Sequence, residues 1–585
     1  ASRATAEHAV LKVPHGAPTD ARELREELRD GLLASLDAER LAAAAARRLR
    51  AEIDARDRAP DAPRPPFTVT TSSRSGSLTP AEIVAEQGAD PTRAPNARLL
   101  ELGEPVREFT ERHANEIADT AARKAILTLL KRLWAGLTGD VGRHADPPAR
   151  DRAWGHAGEA AAILAHAPAM LTPAAGRVAT EILVAAAGHS LPIAGAAALE
   201  RFDELPSWGF PSPRISAAEG LTLIGQHARW ATPEVLAAVI ALSRDPSPAV
   251  RFAVARRVNA LAITAPGTAW AIAEERAGQD PSAAVLNALL RPLVRLANLD
   301  EARAVASIRR ILNRERRRRA PQQSLLDDLY EVLAGLAVWR DARSAHAALR
   351  PLLRDPLAHE PSARSMLFHL RDALTHGPVA PADAGHAAIR GRAQATVRAV
   401  LDAAARELRE LESQHGRDDR SWPEDAIERG RAAAAGADAV ADVLFFASGV
   451  FQERHGSDEP HADPAQRARL YHEAHDLLES LARLGHPQIV HHLVELLEGC
   501  IDEDPPGVFR LIAAAINAGR DHGYQYESLA MNAVVRIVER YLARHREVFE
   551  DDELATALMD VLDVFVAVGW PQARRLVYGL DQLYR

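Results

Sequence analysis

The sequence predicts an all-α chain built as a solenoid of antiparallel helix pairs, and three observations carry that expectation. A short phrase returns: Asp245-Pro246-Ser247-Pro248-Ala249-Val250-Arg251, then Asp280-Pro281-Ser282-Ala283-Ala284-Val285-Leu286 35 residues later, and again as Asp504-Pro505-Pro506-Gly507-Val508-Phe509-Arg510. A recurrence of that length suits one helix pair per layer. Ala, Leu and Arg dominate while aromatic residues make up only 5%, a mixture that favours helices. Apolar positions also recur at three- and four-residue steps between breaks at Pro or Gly, and short breaks join antiparallel neighbours. Stacks of this kind grow by adding layers, so 585 residues need not divide into ordinary globular domains.

Residues 1–58 form the expected N-terminal helical segment, with Leu24, Leu28, Leu32, Leu36, Leu41, Leu49 and Ile53 set among Arg and Glu at amphipathic spacing. Residues 59–98 change to Pro, Ser, Thr, Arg and Gly. There Pro63, Pro65, Pro66, Pro80, Pro91 and Pro95 block any long helix and leave a linker or an ordered arm, with at most a short strand at Phe67–Thr71. Residues 99–415 carry the expected repeats, with helices over Ile117–Leu137, Ala157–Leu171, Ala174–Ala187, Ala217–Ala228, Pro233–Leu242, Ala302–Arg318, Gln323–Trp339, Asp341–Leu353, Ser362–Thr375 and Ala387–Gln414. Residues 416–464 read as a helix between polar loops at Gly416–Glu424 and Glu453–Pro464. Residues 465–585 are dense in Val, Leu and Phe and read as a C-terminal helical subdomain that caps the stack and offers an oligomer interface. Its helices are expected over Leu470–Leu484, Pro487–Gly499, Gly507–Asn517, Tyr526–His545, Asp552–Val568 and Pro571–Tyr584, with Gly569-Trp570-Pro571 as a stop and restart.

Within the recurring phrase each residue has a task. Asp is expected to cap the incoming helix, Pro in the first turn loses no hydrogen bond, Val250 points inward, and Arg251 reaches back to the Asp or to a neighbouring layer. In Asp245, Pro248, Val250 and Arg251, over residues 217–312, the chain resembles HEAT-type and armadillo-like repeats. That resemblance implies an α-solenoid that binds partners, and it brings no catalytic residues with it.

Charge and cysteine usage narrow the function. The 71 basic and 80 acidic residues leave a formal charge of −9, which argues against a protein basic all over that coats nucleic acid. Cys500 stands alone, so internal disulfides and thiolate-rich metal sites are excluded, and a reducing, cytoplasmic setting is the expectation. No run of apolar residues is long enough to span a membrane and no signal-peptide core opens the sequence. The start at Ala1 fits either a processed N-terminus or a piece of a longer chain. Lys12, Lys124 and Lys131 are the only lysines; the Arg bias reads as that of a GC-rich genome, a bacterial source is the expectation, and none of the three lysines follows a glycine. The chain is therefore not a P-loop NTPase. It also lacks a Gly-x-Ser-x-Gly elbow, a Gly-x-Gly-x-x-Gly unit and a placed Cys nucleophile, and no cofactor is expected.

Four sets of side chains hold residue types suited to chemistry or recognition. His472 and His475, in a region that also holds His455, His461, His486, His491 and His492, put two imidazoles at i, i+3 on one expected helical face, a spacing that holds a metal if another helix adds a carboxylate; surface or capping histidines are the plainer reading. Arg371-Asp372-Ala373-Leu374-Thr375-His376 resembles the Arg-polar-x-x-x-His motif of HEPN-type ribonucleases. The resemblance implies Arg371 and His376 from two facing protomers acting on a phosphate and a ribose hydroxyl; the plain alternative is a helix end capped at Gly377. Arg309, Arg310, Arg314, Arg316, Arg317, Arg318 and Arg319 form the most basic segment, which reads either as a nucleic-acid or partner contact or as a solvated helix C-terminus. Trp208, in a Pro-rich aromatic loop, reads as tucked over the end of a helix pair rather than as a partner hot spot.

The sequence thus predicts a non-enzymatic helical-repeat scaffold or recognition module holding a protein partner. The alternatives are a nucleic-acid-binding solenoid, a sensor or accessory part of a larger bacterial defence-type NTPase or nuclease assembly, and a HEPN-like ribonuclease.

Overall fold

A computed structural model describes residues 78–113, 119–193, 201–379, 383–416, 422–455, 464–526 and 528–583. The chain divides between Gly76 and Ser77. The second unit is the one described below, and the expected segment at 1–58 and strand at Phe67–Thr71 lie outside the described residues.

Among the described residues every regular element is helical. The first are α1 (Pro80–Glu86), α2 (Ala94–His113), α3 (Thr120–Thr138), α4 (Asp140–His144), α5 (Pro147–Ala165) and α6 (Pro173–Ala187). Next come α7 (Pro213–Ile224), α8 (Pro233–Ser243), α9 (Pro248–Ala255), α10 (Pro266–Gln279), α11 (Ala283–Leu296), α12 (Glu301–Glu315), α13 (Gln323–Arg340), α14 (Arg343–Arg354), α15 (Glu360–His369) and α16 (Arg371–Leu374). The last are α17 (Ala384–His415), α18 (Glu424–Ala447), α19 (Val450–His455), α20 (Pro464–Glu473), α21 (His475–Ala482), α22 (Pro487–Glu498), α23 (Pro505–Arg520), α24 (Ser528–Arg544), α25 (Asp552–Ala567) and α26 (Pro571–Leu583). Proline opens many of them because a first-turn N–H has no helical partner to lose. Thr79, Thr172 and Thr232 then accept a backbone N–H of the turn that follows.

These helices stack in two rows. One row runs α2, α5, α7, α9, α11, α13, α15, α18, α22, α24, and the second runs α3, α6, α8, α10, α12, α14, α17, α21, α23, α25, each helix touching the next in its row. Short turns such as the one between α8 and α9 send the chain back on itself, so paired helices run antiparallel. The inward faces of both rows share one apolar core reaching from Leu99 to Ala573.

The recurring phrase forms the joints of this stack. Arg214 Nε lies 3.2 Å from Asp245 Oδ2, and Arg251 grips Asp280 with two bonds, Nε to Oδ2 at 2.8 Å and Nη2 to Oδ1 at 3.1 Å. Arg251 Nη1 also donates to the Asp245 carbonyl at 2.8 Å. An arginine on one layer is therefore fixed to the aspartate that opens the next. The capping expectation needs correction, because Ser247 and Ser282 occupy the N-cap positions of α9 and α11. Asp245 and Asp280 sit two residues earlier and accept the Ser247 and Ser282 N–H at 2.8 and 3.1 Å, an Asx turn that leaves an oxygen for the arginine. Only the third copy caps directly, Asp504 accepting from Gly507 N at 3.1 Å.

Several expected helices end elsewhere. The Pro-rich stretch at 59–98 already contains α1 and the start of α2, with Pro80 and Pro95 in their first turns. The Ser362–Thr375 helix divides at Leu370 into α15 and α16, and the Leu470–Leu484 helix divides at Ala474, whose φ of −101° and ψ of 9° leave the helical range. The helix expected to reach Arg318 stops at Glu315, since that buried carboxylate accepts the Gln322 N–H at 2.7 Å and closes a turn.

Residues 201–212 make a strap across the layers. Phe202 and Trp208 pack on Phe252 of α9, with ring centroids 5.6 and 6.3 Å away, so Trp208 lies against the side of that helix. Phe210 covers His156 of α5 at 4.7 Å and fills the space beside Gly155, where a Cβ would stand 2.6 Å from its ring. The Asp203 carboxylate accepts the backbone N–H groups of Ala283 and Ala284, both at 3.2 Å, at the start of α11.

Beside the strap, burial and then the Arg152 charge push the His156 imidazole down to about 3, and burial together with Glu111 raises the Glu159 carboxyl to about 7. A carboxyl raised in the folded state holds its proton better there than in the unfolded chain. Stability is then lost as pH rises from about 4.5 towards 7. Glu159→Gln is expected to gain on the order of 1–3 kcal/mol above pH 7 and nothing near pH 4. Urea denaturation at the two pH values measures this, and an equal effect at both would refute it.

Candidate functional site

The arginine segment begins with a strongly amphipathic helix. Asp300 caps α12 by accepting the Arg303 N–H at 3.0 Å, and Ile308, Ile311 and Leu312 enter the core, which leaves Arg309 and Arg310 on the exposed face. Arg316 caps the C-terminus, and Arg317, Arg318 and Arg319 continue in a turn. The patch is thus split between helix and turn rather than lying along one helix. Arg309, Arg310, Arg314 and Arg317 meet around an open depression of about 540 Å³, whose floor includes Gly278 and Asn313.

Part of this charge is used internally. Arg314 Nη2 donates to the Asp280 carbonyl at 2.5 Å, and burial, then the Arg318 charge, lower its pKa. Arg310 reaches the Glu274 carbonyl at 3.3 Å, and Arg318 pairs with buried Glu315 at 3.2 Å. Arg309, Arg316, Arg317 and Arg319 are exposed and make no ion pair among the described residues. Those four guanidiniums are the available ones, and they suit carboxylate or phosphate.

A second basic hollow, of about 430 Å³, was not evident in the sequence. His166, Arg256, Arg257 and Arg295 line it. Burial would raise the Glu219 carboxyl, but the His166 contact and the Arg256 and Arg257 charges outweigh that and hold it well below the usual range. Glu219 lies 2.7 and 2.8 Å from Arg256 and Arg257, so much of this charge is already neutralised.

The other candidates take separate partners. Arg371 lies against Asp372 at 3.1 Å and over Phe368, whereas His376 packs edge-on to Trp339 at 4.6 Å and to His386 at 4.8 Å; burial, then His386, lower its pKa. Gly377 follows at φ +88°, the left-handed turn a helix end asks of glycine. His472 and His475 do not share one continuous helical face, since α20 ends between them. Their rings instead flank Tyr471 at 5.2 and 5.5 Å. His455 and His461 belong to side chains outside the described set. Cys500 is buried, and burial pushes its thiol up to about 12, the state of an unreactive core residue.

A third cavity, of about 620 Å³, lies between α17, α18 and the turn before α22. Trp422, Arg431, Asp438, His486 and His522 are on its wall. Asp438 belongs as well to a cluster with Asp442 and His492, and those two carboxylates push the His492 imidazole up to about 9. Asp438 and Asp442 are i, i+4 on a helix, a spacing too common on solvated faces to stand out in sequence, and His492 is distant in the chain.

The two-row stack defines an all-helical solenoid of antiparallel helix pairs. No protein-family profile matches the chain, and no curated protein matches it in sequence. Among solved structures it is similar to Kap121p bound to Ste12p, at 13% identity and a TM-score of 0.33, over 84% of this chain and 55% of that one. A mutant form of Kap121p matches with the same identity and TM-score, over 84% of this chain and 54% of that one. The chain spans about half the length of these proteins. No described helix is long and apolar enough to cross a membrane.

Proposed function

We propose that the chain is a non-enzymatic scaffold that holds a protein partner, with the arginine end of α12 gripping acidic side chains. The supporting observation is the open depression lined by Arg309, Arg310, Arg314 and Arg317, with Arg309 and Arg317 unpaired by acids among the described residues. A guanidinium binds a carboxylate with two hydrogen bonds, and a solenoid spreads further shallow contacts along its length. Nucleic acid is the second reading, because Arg316, Arg317 and Arg319 present the same forks to phosphate. A part in a larger defence-type assembly and a HEPN-like ribonuclease remain sequence readings to which the geometry adds nothing.

The test titrates the full chain and an Arg309→Glu/Arg310→Glu/Arg317→Glu variant with a labelled Glu/Asp-rich peptide and with a single-stranded RNA. Peptide affinity is expected to fall by about ten- to a hundredfold, or about 1.4–2.7 kcal/mol. Strong, salt-sensitive RNA binding that vanishes in the variant would replace the protein reading with the nucleic-acid one. Charge reversal without effect on either probe would remove both.

A further inference from the structure

The donor atoms of Asp438, Asp442 and His492 all lie within 4.8 Å of one another. The two aspartates stand one turn apart on α18, and His492 faces them from α22, its neighbour in the row. The Phe445 ring stacks on the imidazole at 5.7 Å with the planes 23° apart, which fixes the ring's direction. His492 Nδ1 is 2.9 Å from Asp442 Oδ1 and 3.6 Å from Asp438 Oδ1. Despite those distances, His492 Nδ1 and Asp438 Oδ1 are both buried atoms without a hydrogen-bond partner.

His492 Nδ1 lies close to both carboxylates but in hydrogen-bond geometry to neither, so a shared cation could take the place of the imidazole proton. Bonds of about 2.0–2.2 Å to a shared ion place neighbouring ligands about 3.0–3.5 Å apart in octahedral or tetrahedral geometry. Two of the observed separations, 2.9 and 3.6 Å, are of that size. Arg364 Nη2, 3.5 Å from Asp442 Oδ2, contacts the outer oxygen of one ligand, the orienting role outer groups play at metal centres.

We propose that Asp438, Asp442 and His492 form a binding site for a divalent first-row transition ion. One imidazole with two carboxylates suits zinc or manganese, and it suits calcium or copper(I) poorly. Asp438 also lines the 620 Å³ cavity, so the site borders a space that admits water. His486 and His522 line the same cavity, their rings stacked 6.0 Å apart. They stand outside the three-ligand set and serve as the internal control.

The experiment uses the full chain, stripped with chelator and titrated with Zn²⁺ alone by calorimetry, beside Asp438→Asn, His492→Gln and the control His486→Gln. A thermal melt in chelator confirms that each variant is folded. The expected result is one tight equivalent of Zn²⁺ in the wild type and the control, weakened at least about tenfold in the other two, the loss typical when a ligand or its support is removed. Replacing Zn²⁺ by Co²⁺ should give visible absorption bands that Asp438→Asn and His492→Gln abolish. Zn²⁺ binding that is absent, or equal in all four proteins, would overturn the site and leave an ordinary ion triad.

Discussion

Arg251→Ala is expected to destabilise its part of the stack by about 3–5 kcal/mol, the usual cost of stripping one partner from a buried ion pair. Asp280 is fully buried and Arg251 only 6% exposed. With the arginine gone, Asp280 keeps its carboxylate beside Arg276, 3.3 Å away, but loses both bonds from the layer before. The Asp245 carbonyl loses a donor in the same change. Replacing both members, as Arg251→Met with Asp280→Leu, should recover a good part of the loss because no buried charge is then left unpaired. Urea denaturation of the two variants measures the difference. A single variant within about 1 kcal/mol of wild type would mean that the joint between these layers is made by apolar contact alone.

Phe509→Ala should cost about as much, 3–5 kcal/mol, for a different reason. The Phe509 side chain is fully buried, and its ring meets Tyr541 edge-on at 5.1 Å and Phe549 at 4.9 Å, so truncation leaves a cavity between α23 and α24. Stacked layers hold each other chiefly through their nearest neighbours. Hydrogen exchange should therefore find the Phe509→Ala loss in α22 to α25 and the Arg251→Ala loss in α9 to α12, with the two effects additive in the double variant. Uniform loss of protection along the chain in either variant would show a single cooperative unit instead.

Much of the fold could be read from local pattern. Helical periodicity gave the elements, and the Asp-Pro…Val-Arg phrase located the joints, because its residues act within a few positions or on the adjacent layer. What escaped depended on longer reach or on competition for one atom. Asp245 was expected to cap, but the neighbouring Ser247 fills that position and the aspartate serves Arg214 as well. The His472–His475 spacing implied a shared face that the break at Ala474 removes. The arginine run was evident as charge, while the depression it borders needs Gly278 from α10, the neighbour of α12 in its row. Asp438, Asp442 and His492 were individually ordinary, and only the packing of α18 on α22 makes them a set.

The strap at 201–212 links layers that are far apart in the sequence. Asp203 and Ala283 are 80 positions apart, so this contact can be made only once α7 to α10 and the start of α11 are all present. The finished bonds join the strap before α7 to the start of α11 across the layers between them, a contact of longer range than the nearest-neighbour packing that holds the rest of the stack.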